Sequence, residues 1–529
     1  MSLDFSEGNF IGMDTTLVTQ EASLPVPNST EAAGPLACVF AKLFSRHFLN
    51  AAILLVVPLI FAQPLRQPIE LLRDPDVWWH LADARILCTT HHFIHVEPYS
   101  FTVSGQRWVN PEWLSEIPYW LGYAAFHWSG VYLVTWLALV ANLMFLYWRG
   151  YWKTGHAGAA FWAACLGFAL MTVNSGPRTI LFAYLALSAE LAILEAIERG
   201  KARLAWLLPP LFCIWINLHG SWVIGIGLLV LYVVCGAFGL SKGVFEQTAR
   251  SSKDQKRLVS VLFASLMALL LNPYGWRLIW NPFDMMLNQK LNIANAEEWQ
   301  PLHLDWFVGK AALAAILLMV LANFLRGRKW KLYEIVFIVF AWYAAFDHVR
   351  FAFLAAVIIT PFLTADMVRG FCAHANAKTI PVMNALAGAC ALWMMVHIIP
   401  SDAELQNDVA RLFPRQMIAS LDPSWRTFNS ANLGGVMAFE SKSSYIDSRL
   451  DTFEHHGVLK DYLEAMRIQQ PLEVLDRYGI DHVLFPEHTP LAYLLERMPG
   501  WRVEKREGEG SDFYVLLERI RNLQAPGRK

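Results

Sequence analysis

Asp74 and Asp76 stand one residue apart in the stretch RDPDVWWHLADAR, which begins at Arg73. His80 follows Asp76 at the i, i+4 spacing that puts two side chains on one helical face. Arg85, His91, His92, His95, Glu97, Arg107 and Glu112 follow in the same polar loop. A carboxylate beside membrane-facing tryptophans is expensive to desolvate and tends to be functional. It can take a proton from an acceptor hydroxyl as a general base, or hold a divalent cation. An Asp-x-Asp pair alone is common, and a solvated loop or a helix cap accounts for most instances. The histidines at 91–95 have no convincing ligand spacing and read as surface.

The elements that must position these groups are hydrophobic. Of 529 residues, 55% are hydrophobic and only 16% are charged, against about 25% charged in an ordinary soluble domain. The net charge of −1 gives no bulk field for nucleic acid. The seven cysteines form no CxxC, so neither a zinc nor a redox motif is present. A helix crosses the hydrocarbon with about 20 apolar residues. Candidate runs lie at 47–63, 130–148, 157–174, 177–197, 204–217, 220–239, 258–273, 309–325, 332–346, 349–367 and 381–399, about eleven spans. The run 204–217 meets the next at the polar break Asn217-Leu218-His219-Gly220. Broken helices are tolerated where they line an enclosed or wet cavity.

Basic loops stay cytoplasmic. Lys42 and Arg46, Arg149 and Lys153, the cluster at 199–203, the cluster at 253–257 and the cluster at 326–331 all fall on one side of the alternating spans. Residues 1–45 then form a disordered cytoplasmic tail, and 46–400 a transmembrane module. The loops 64–129 and 274–308 face outward, as does the C-terminal stretch. The segment 113–128, with Glu116, Pro118 and several aromatics, reads as a helix lying in the interface. Residues 401–529 read as an α/β domain, with strands at 427–429, 436–439, 445–447, 482–485, 501–505 and 513–518. Asp447 and Arg449 there are either a ligand pair or an internal salt bridge.

A cation near the outer interface could hold a phosphate, since an arginine matches phosphate oxygens with a planar fork. Arg178, Arg350 and Arg277 are expected there, with Asn217, His219, Glu297, Glu298 and Asp347. Snorkelling to lipid phosphate is the other account of the arginines. A transporter or lipid flippase would show charges at mid-membrane and repeated halves, and neither is read from this sequence.

D-x-D-x-W-W-H-L-A at 74–82, P-Y-S-F-T at 98–102 and W-V-N-P-E-W-L-S-E at 108–116 resemble bacterial membrane proteins of the GT-C glycosyltransferase superfamily. These are distant relatives of protein O-mannosyltransferases and lipid A aminoarabinose transferases. N-L-H-G-S at 217–221, N-P-Y-G-W at 272–276, E-W-Q-P at 298–301, H-V-R-F at 348–351 and Y-I-D-S-R at 445–449 extend the likeness over most of the chain after residue 50. The resemblance implies a GT-C-like α-helical polytopic membrane protein with an acidic outer loop and helices parallel to the membrane. It implies an inverting transfer of a sugar from a polyprenyl-phosphate donor to an extracytoplasmic acceptor, at the bacterial inner membrane. By position Asp76 is the general base, with Asp74 replacing or assisting it. Asp74 and Asp76 are also the places for a divalent ion, Mg or Mn, if one is used. Arg178, Arg350, His80, Glu112, His219 and Glu298 are the expected substrate and phosphate contacts. Pro111, where many relatives carry His, and Asp83-Ala84, where a glycine is usual, depart from the pattern. They leave room for a non-catalytic scaffold that kept the fold.

Overall fold

The computed structural model describes residues 45–371, 380–508 and 513–520. The expected tail lies outside the described residues, apart from Ser45. That serine caps the opening helix Arg46–Phe61 by accepting from Phe48 N.

Each expected span falls on a helix. Among the described residues, six helices are long and apolar enough to cross a membrane: Trp113–Thr154, Ala157–Asn174, Ile180–Glu198, Phe307–Leu325, Val349–Phe371 and Pro381–Ile398. The helices Arg46–Phe61, Ala202–Leu218 and Trp222–Gly236 are apolar and shorter. Val349–Phe371 is the centre of the bundle, with 78% of its apolar window buried, whereas Pro381–Ile398 is peripheral at 11%. The peripheral helix leans on the opening one at Gly388, where a Cβ would meet the Phe48 ring at 2.6 Å.

The helical stretch Trp113–Thr154 is not one rod. Phe126 and His127 leave helical geometry, with φ −139° and +49°. In a straight helix Gly122 and Gly130 would lie about 12 Å apart. Here their backbones touch, so closely that a Cβ on Gly130 would overlap the Gly122 carbonyl. The chain therefore folds back at Phe126-His127. The residues read as interfacial run on a different axis from the helix that follows.

Charge does enter the bundle, which corrects the expectation of none. Glu190 lies midway along Ile180–Glu198, buried, with neither carboxyl oxygen hydrogen-bonded. Arg149 donates to Glu195 Oε1 at 2.7 Å and to Val357 O at 2.6 Å. A single carboxyl does not interrupt an apolar run of this length, so hydropathy alone hides it.

Two strands, β1 (Leu240–Lys242) and β2 (Phe245–Gln247), make a hairpin that was not expected. The C-terminal sheet has strands β3 (Thr427–Asn429), β4 (His482–Pro486), β5 (Trp501–Glu507) and β6 (Tyr514–Arg519), in the order β3-β4-β6-β5. Only the β3–β4 pair is parallel. Two expected strands are corrected. Residues 436–439 belong to the helix Ala431–Phe439, because a short apolar run buried all round has no periodicity to separate helix from strand. Residues 445–447 join no sheet. Their neighbour Ser444 bridges instead to Ser100 of the acidic loop.

Gly130→Ala should destabilise the protein by about 1–3 kcal/mol or more through overpacking. Gly227→Ala, which meets nothing within 4 Å, should be close to neutral. Thermal denaturation in detergent, followed by size-exclusion monodispersity, compares the two; equal melting would remove the fold-back.

Candidate active site

Asp74 fixes the acidic motif from behind. Its Oδ1 accepts from Asp76 N at 3.1 Å, which ties down the first turn of the helix Asp76–Thr90. Its Oδ2 accepts from Arg178 Nε at 2.8 Å. Asp76 sits at the positive end of that helix, where a carboxylate is favoured. Its Oδ1 accepts from Trp79 Nε1 at 3.1 Å. Burial, then the neighbouring Asp74, pushes the Asp76 carboxyl up, against Arg178 and His80.

Arg178 also donates to Glu298 Oε2 at 2.7 Å, and Glu298 Oε1 lies 2.8 Å from Arg350 Nη1. Arg350 stacks 4.3 Å over the Trp299 ring. The strap carrying Glu298 is held by the following turn: Val349 N donates to Gln300 O at 2.9 Å, and His348 Nδ1 lies 2.6 Å from Trp299 O. The two motifs E-W-Q-P and H-V-R-F are thus one structural unit. Burial raises the Glu298 carboxyl, but Arg350 and Arg178 outweigh it and hold it below the usual range.

These groups face a cavity of 760 Å³. Asp76, His80, Glu112, Arg178, His219, Glu298 and Arg350 all line it, with Asp74 behind Arg178. Glu297 lines it as well. Arg277 is not on its wall; it is exposed and lies by the Trp276 ring. The C-terminal unit supplies Asn432, Ser448, Arg449, Leu450 and Asp451 to the same wall. Of these, the sequence reading singled out Arg449 alone. Ser448 lies in the Y-I-D-S-R motif, Leu450 and Asp451 directly follow it, and Asn432 carries no signal of its own.

A second layer of carboxylates starts on the cavity wall with Glu112 and continues behind His80 to Glu116. Glu112 accepts from Thr179 Oγ1 at 2.7 Å and lies 3.1 Å from His219 Nε2. His219 Nδ1 accepts from Ser221 N at 3.0 Å, so the assigned proton sits on Nε2 and points at Glu112. Burial, then Arg350, pushes the His219 imidazole down to about 3, so it stays neutral. His80 Nδ1 lies 2.8 Å from Glu116 Oε1, and Asn110 donates to both Glu116 oxygens at 2.9 and 2.8 Å. Burial pushes Glu112 up to about 7 and Glu116 up to about 8. Asn110 also donates to Asp83, which takes the Tyr99 hydroxyl at 2.6 Å. Asp83, one of the departures from the family pattern, is therefore a buried hydrogen-bond acceptor.

Arg449 closes the layer. It pairs with Glu97 at 2.9 Å and Asp447 at 2.6 Å, and lies 4.8 Å from the Trp108 ring centroid. The Asp447–Arg449 pair is thus an internal salt bridge, and its arginine also reaches the cavity wall.

The expected divalent ion does not fit the Asp74/Asp76 pair. Asp74 is committed to Arg178 and to the helix backbone. Among the described residues, no group of three His, Cys, Asp or Glu side chains is arranged to hold a metal. Positive charge on this wall comes from arginines.

No family model and no curated protein matches the chain. Solved structures do. The oligosaccharyltransferase of Archaeoglobus fulgidus in its apo form matches with a TM-score of 0.52 at 11% identity, over 84% of this chain and 70% of that one. The same enzyme with an inhibitory peptide and a dolichol-phosphate gives 0.50 at 11% identity, over 84% and 70%. ArnT of Cupriavidus metallidurans bound to undecaprenyl phosphate gives 0.49 at 13% identity, over 90% and 99%. The chain shares the fold of the Archaeoglobus fulgidus oligosaccharyltransferase.

Linkage from the buried carboxyls has a definite sign. An unfolded glutamate titrates near 4.5, whereas Glu112 and Glu116 hold their protons to about 7 and about 8. Between those values the folded protein binds more protons, so its stability falls as pH rises. Thermal melts from pH 5 to pH 8 should show a loss on the order of 6 kcal/mol, roughly two pKa units from Glu112 and three from Glu116 at about 1.4 kcal/mol per unit. Glu116→Gln should flatten the slope. A wild-type slope of opposite sign would contradict a protonated Glu116.

Proposed function

We propose that the chain is a membrane glycosyltransferase that moves a sugar from a polyprenyl-phosphate donor to an extracytoplasmic acceptor, with inversion and with Asp76 as general base. The supporting observation is that Asp76 faces two arginines, Arg178 and Arg350, in one cavity. An acceptor hydroxyl gives its proton to Asp76 as its oxygen attacks the anomeric carbon. The bond from that carbon to the phosphate oxygen breaks, and the departing polyprenyl phosphate gains negative charge. Arg178 and Arg350 lie where that charge can be held, and preorganised donors at a developing anion are a large part of catalysis. Glu298 keeps the two guanidiniums paired until a phosphate takes its place. In this reading the chain crosses the membrane about eleven times, with its N-terminus in the cytoplasm of a bacterial inner membrane. Residues 401–529 stand outside as an α/β domain that helps to hold the acceptor.

Two observations favour other readings. Glu112 faces the same cavity with its carboxyl near 7, where a base works well at neutral pH. It is the second choice for the base. Glu190, buried and without a hydrogen-bond partner in the bundle, is the feature that a transporter or flippase would explain.

Purified protein incubated with polyprenyl-phosphate sugars should release the lipid phosphate. Asp76→Asn should slow release by about 10²–10⁴-fold, and Arg178→Met or Arg350→Met by about 10²–10³-fold, with unchanged melting for Asp76→Asn. Full activity in Asp76→Asn together with its loss in Glu112→Gln would move the base to Glu112. Lipid or sugar movement across vesicles without release would replace transfer by transport. Tight donor binding without release would leave a scaffold.

A further inference from the structure

A larger cavity, of 1460 Å³, opens at the other end of the same helices. The helix Ile180–Glu198 begins beside Arg178 and Thr179 in the first cavity and ends with Ile197 and Glu198 in the second. Its length separates them by roughly 27 Å at 1.5 Å per residue. The helix Leu332–Asp347 runs the opposite way, from Lys331 in the second cavity toward Val349 and Arg350 in the first. The two cavities therefore lie at opposite ends of the bundle.

The second cavity has a large surplus of positive charge. Nine lysines and arginines line it against four carboxylates. Those carboxylates are mostly committed. Glu198 takes Lys331 and Arg250, Asp254 takes Arg257, and Glu334 lies within 3.6 Å of Lys153. Lys201, Arg203 and Lys253 pair with no carboxylate among the described residues.

Arg328 gives a second, independent observation. Its side chain is only 9% exposed, yet Nε and Nη2 have no hydrogen-bond partner. Its nearest carboxylates stand at 3.7 Å (Asp366) and 3.9 Å (Glu334), and its guanidinium lies 3.3 Å from the Trp330 ring centroid. A buried guanidinium short of acceptors is costly. An excess of cytoplasmic lysine and arginine explains which face carries the charge, but it does not call for a concave site or for an under-satisfied buried fork.

The wall is also built. Gln247, at the end of β2, donates to Cys235 O at 2.7 Å and Phe238 O at 2.8 Å and accepts from Leu332 N at 2.8 Å. Glu246 N donates to Trp330 O at 3.0 Å, and Trp330 N to Val244 O at 2.9 Å. The β1–β2 hairpin is thereby fixed to the segment that carries Arg328.

We propose that this cavity is a second ligand site, for a phosphate-bearing anion, on the membrane face opposite the first. Arginine forks and lysine ammoniums together suit phosphate oxygens. The phosphate has two sources: the headgroup of an anionic phospholipid in that leaflet, as basic pockets between transmembrane helices bind, or a soluble phosphate compound of that compartment.

The test uses the full chain in detergent. Native mass spectrometry reads retention of phosphatidylglycerol against phosphatidylcholine, and calorimetry reads binding of pyrophosphate to delipidated protein. The variant Lys201→Gln/Arg203→Gln/Lys253→Gln removes three exposed charges that hold no ion pair. Lys242→Gln/Lys256→Gln removes two positive charges near the cavity but off its wall. Retention of the anionic lipid, or binding of pyrophosphate, should fall roughly fivefold per charge and about a hundredfold in the triple variant. The control pair should change it by less than about twofold, and both proteins should melt as wild type does. Loss in the lipid arm alone assigns the headgroup, and loss in the pyrophosphate arm alone assigns the soluble source. Equal retention of the zwitterionic lipid with no pyrophosphate binding, or an equal effect of the control pair, would overturn the site. Sugar transfer is not the readout, so failure here leaves the reading of the first cavity untouched.

Discussion

A carboxylate removed from water must find a cation, a set of donors or a proton, and the end of the bundle that holds the first cavity is organised by that requirement. Asp74, Asp76, Asp83, Glu97, Glu112, Glu116, Glu298 and Asp447 lie close together there. Three arginines answer them from three distant parts of the chain. Arg178 takes Asp74 and Glu298, Arg350 takes Glu298, and Arg449 takes Glu97 and Asp447. Four carboxyls form no ion pair with an arginine and find neutral donors instead: Asp76 in Trp79, Asp83 in Tyr99, Glu112 in Thr179 and Glu116 in Asn110, and burial pushes all four up. All three arginines join chain segments as well as balancing charge, and for Arg449, buried with Glu97 and Asp447, removing one partner costs about 3–5 kcal/mol.

The backbone devices around the site serve the same end. The helix break at 217–221 turns His219 toward Glu112 while Asn217 takes the Trp113 indole at 2.9 Å. Ser115 donates to Leu218 O at 2.7 Å, so the break is stitched to the very segment that carries Glu112 and Glu116. The glycine pair of the C-terminal unit has a similar meaning. A Cβ on Gly435 would meet Pro75 O at 2.5 Å. The helix Ala431–Phe439 can therefore lie directly on the acidic motif, which brings Asn432 and the Ser448–Asp451 segment to the cavity.

Much of this was legible in the residues, for a physical reason. Asp76, His80, Glu112, Arg178, His219, Glu298 and Arg350 are polar groups in or beside apolar segments, and such groups are conspicuous because hydrophobic surroundings make them costly. What stayed hidden involved partners far apart in sequence. Nothing local tells that Asp74 is bound to Arg178, so a pair that looks fit for a cation turns out to be half committed to a guanidinium. Nothing local assigns 436–439 to a helix, because the two glycines before it, Gly434 and Gly435, matter only through Asp447 and Pro75. Glu190 was missed for the opposite reason: a lone carboxyl inside a long apolar run leaves the run intact. The hairpin Leu240–Gln247 sits in what reads as the end of a span and a polar loop, and its purpose becomes visible only when Trp330 is seen hydrogen-bonded to it.

The two ends of the bundle use positive charge differently, and the difference follows from how each end neutralises it. At the first cavity the guanidiniums of Arg178 and Arg350 share one carboxylate, Glu298, carried on a strap outside the helices. A ligand phosphate can take the place of that carboxylate without unpacking a helix, because the strap is anchored by backbone hydrogen bonds at Gln300 and not through Glu298 itself. At the second cavity Glu198 is part of a long helix and holds Lys331, Arg250 and the Tyr232 hydroxyl together. It cannot leave without disturbing the bundle, so an incoming anion would be met by the residues that Glu198 does not serve. Exchange of one carboxylate for a phosphate suits a site that must bind and release; a fixed surplus of charge suits a site that stays filled.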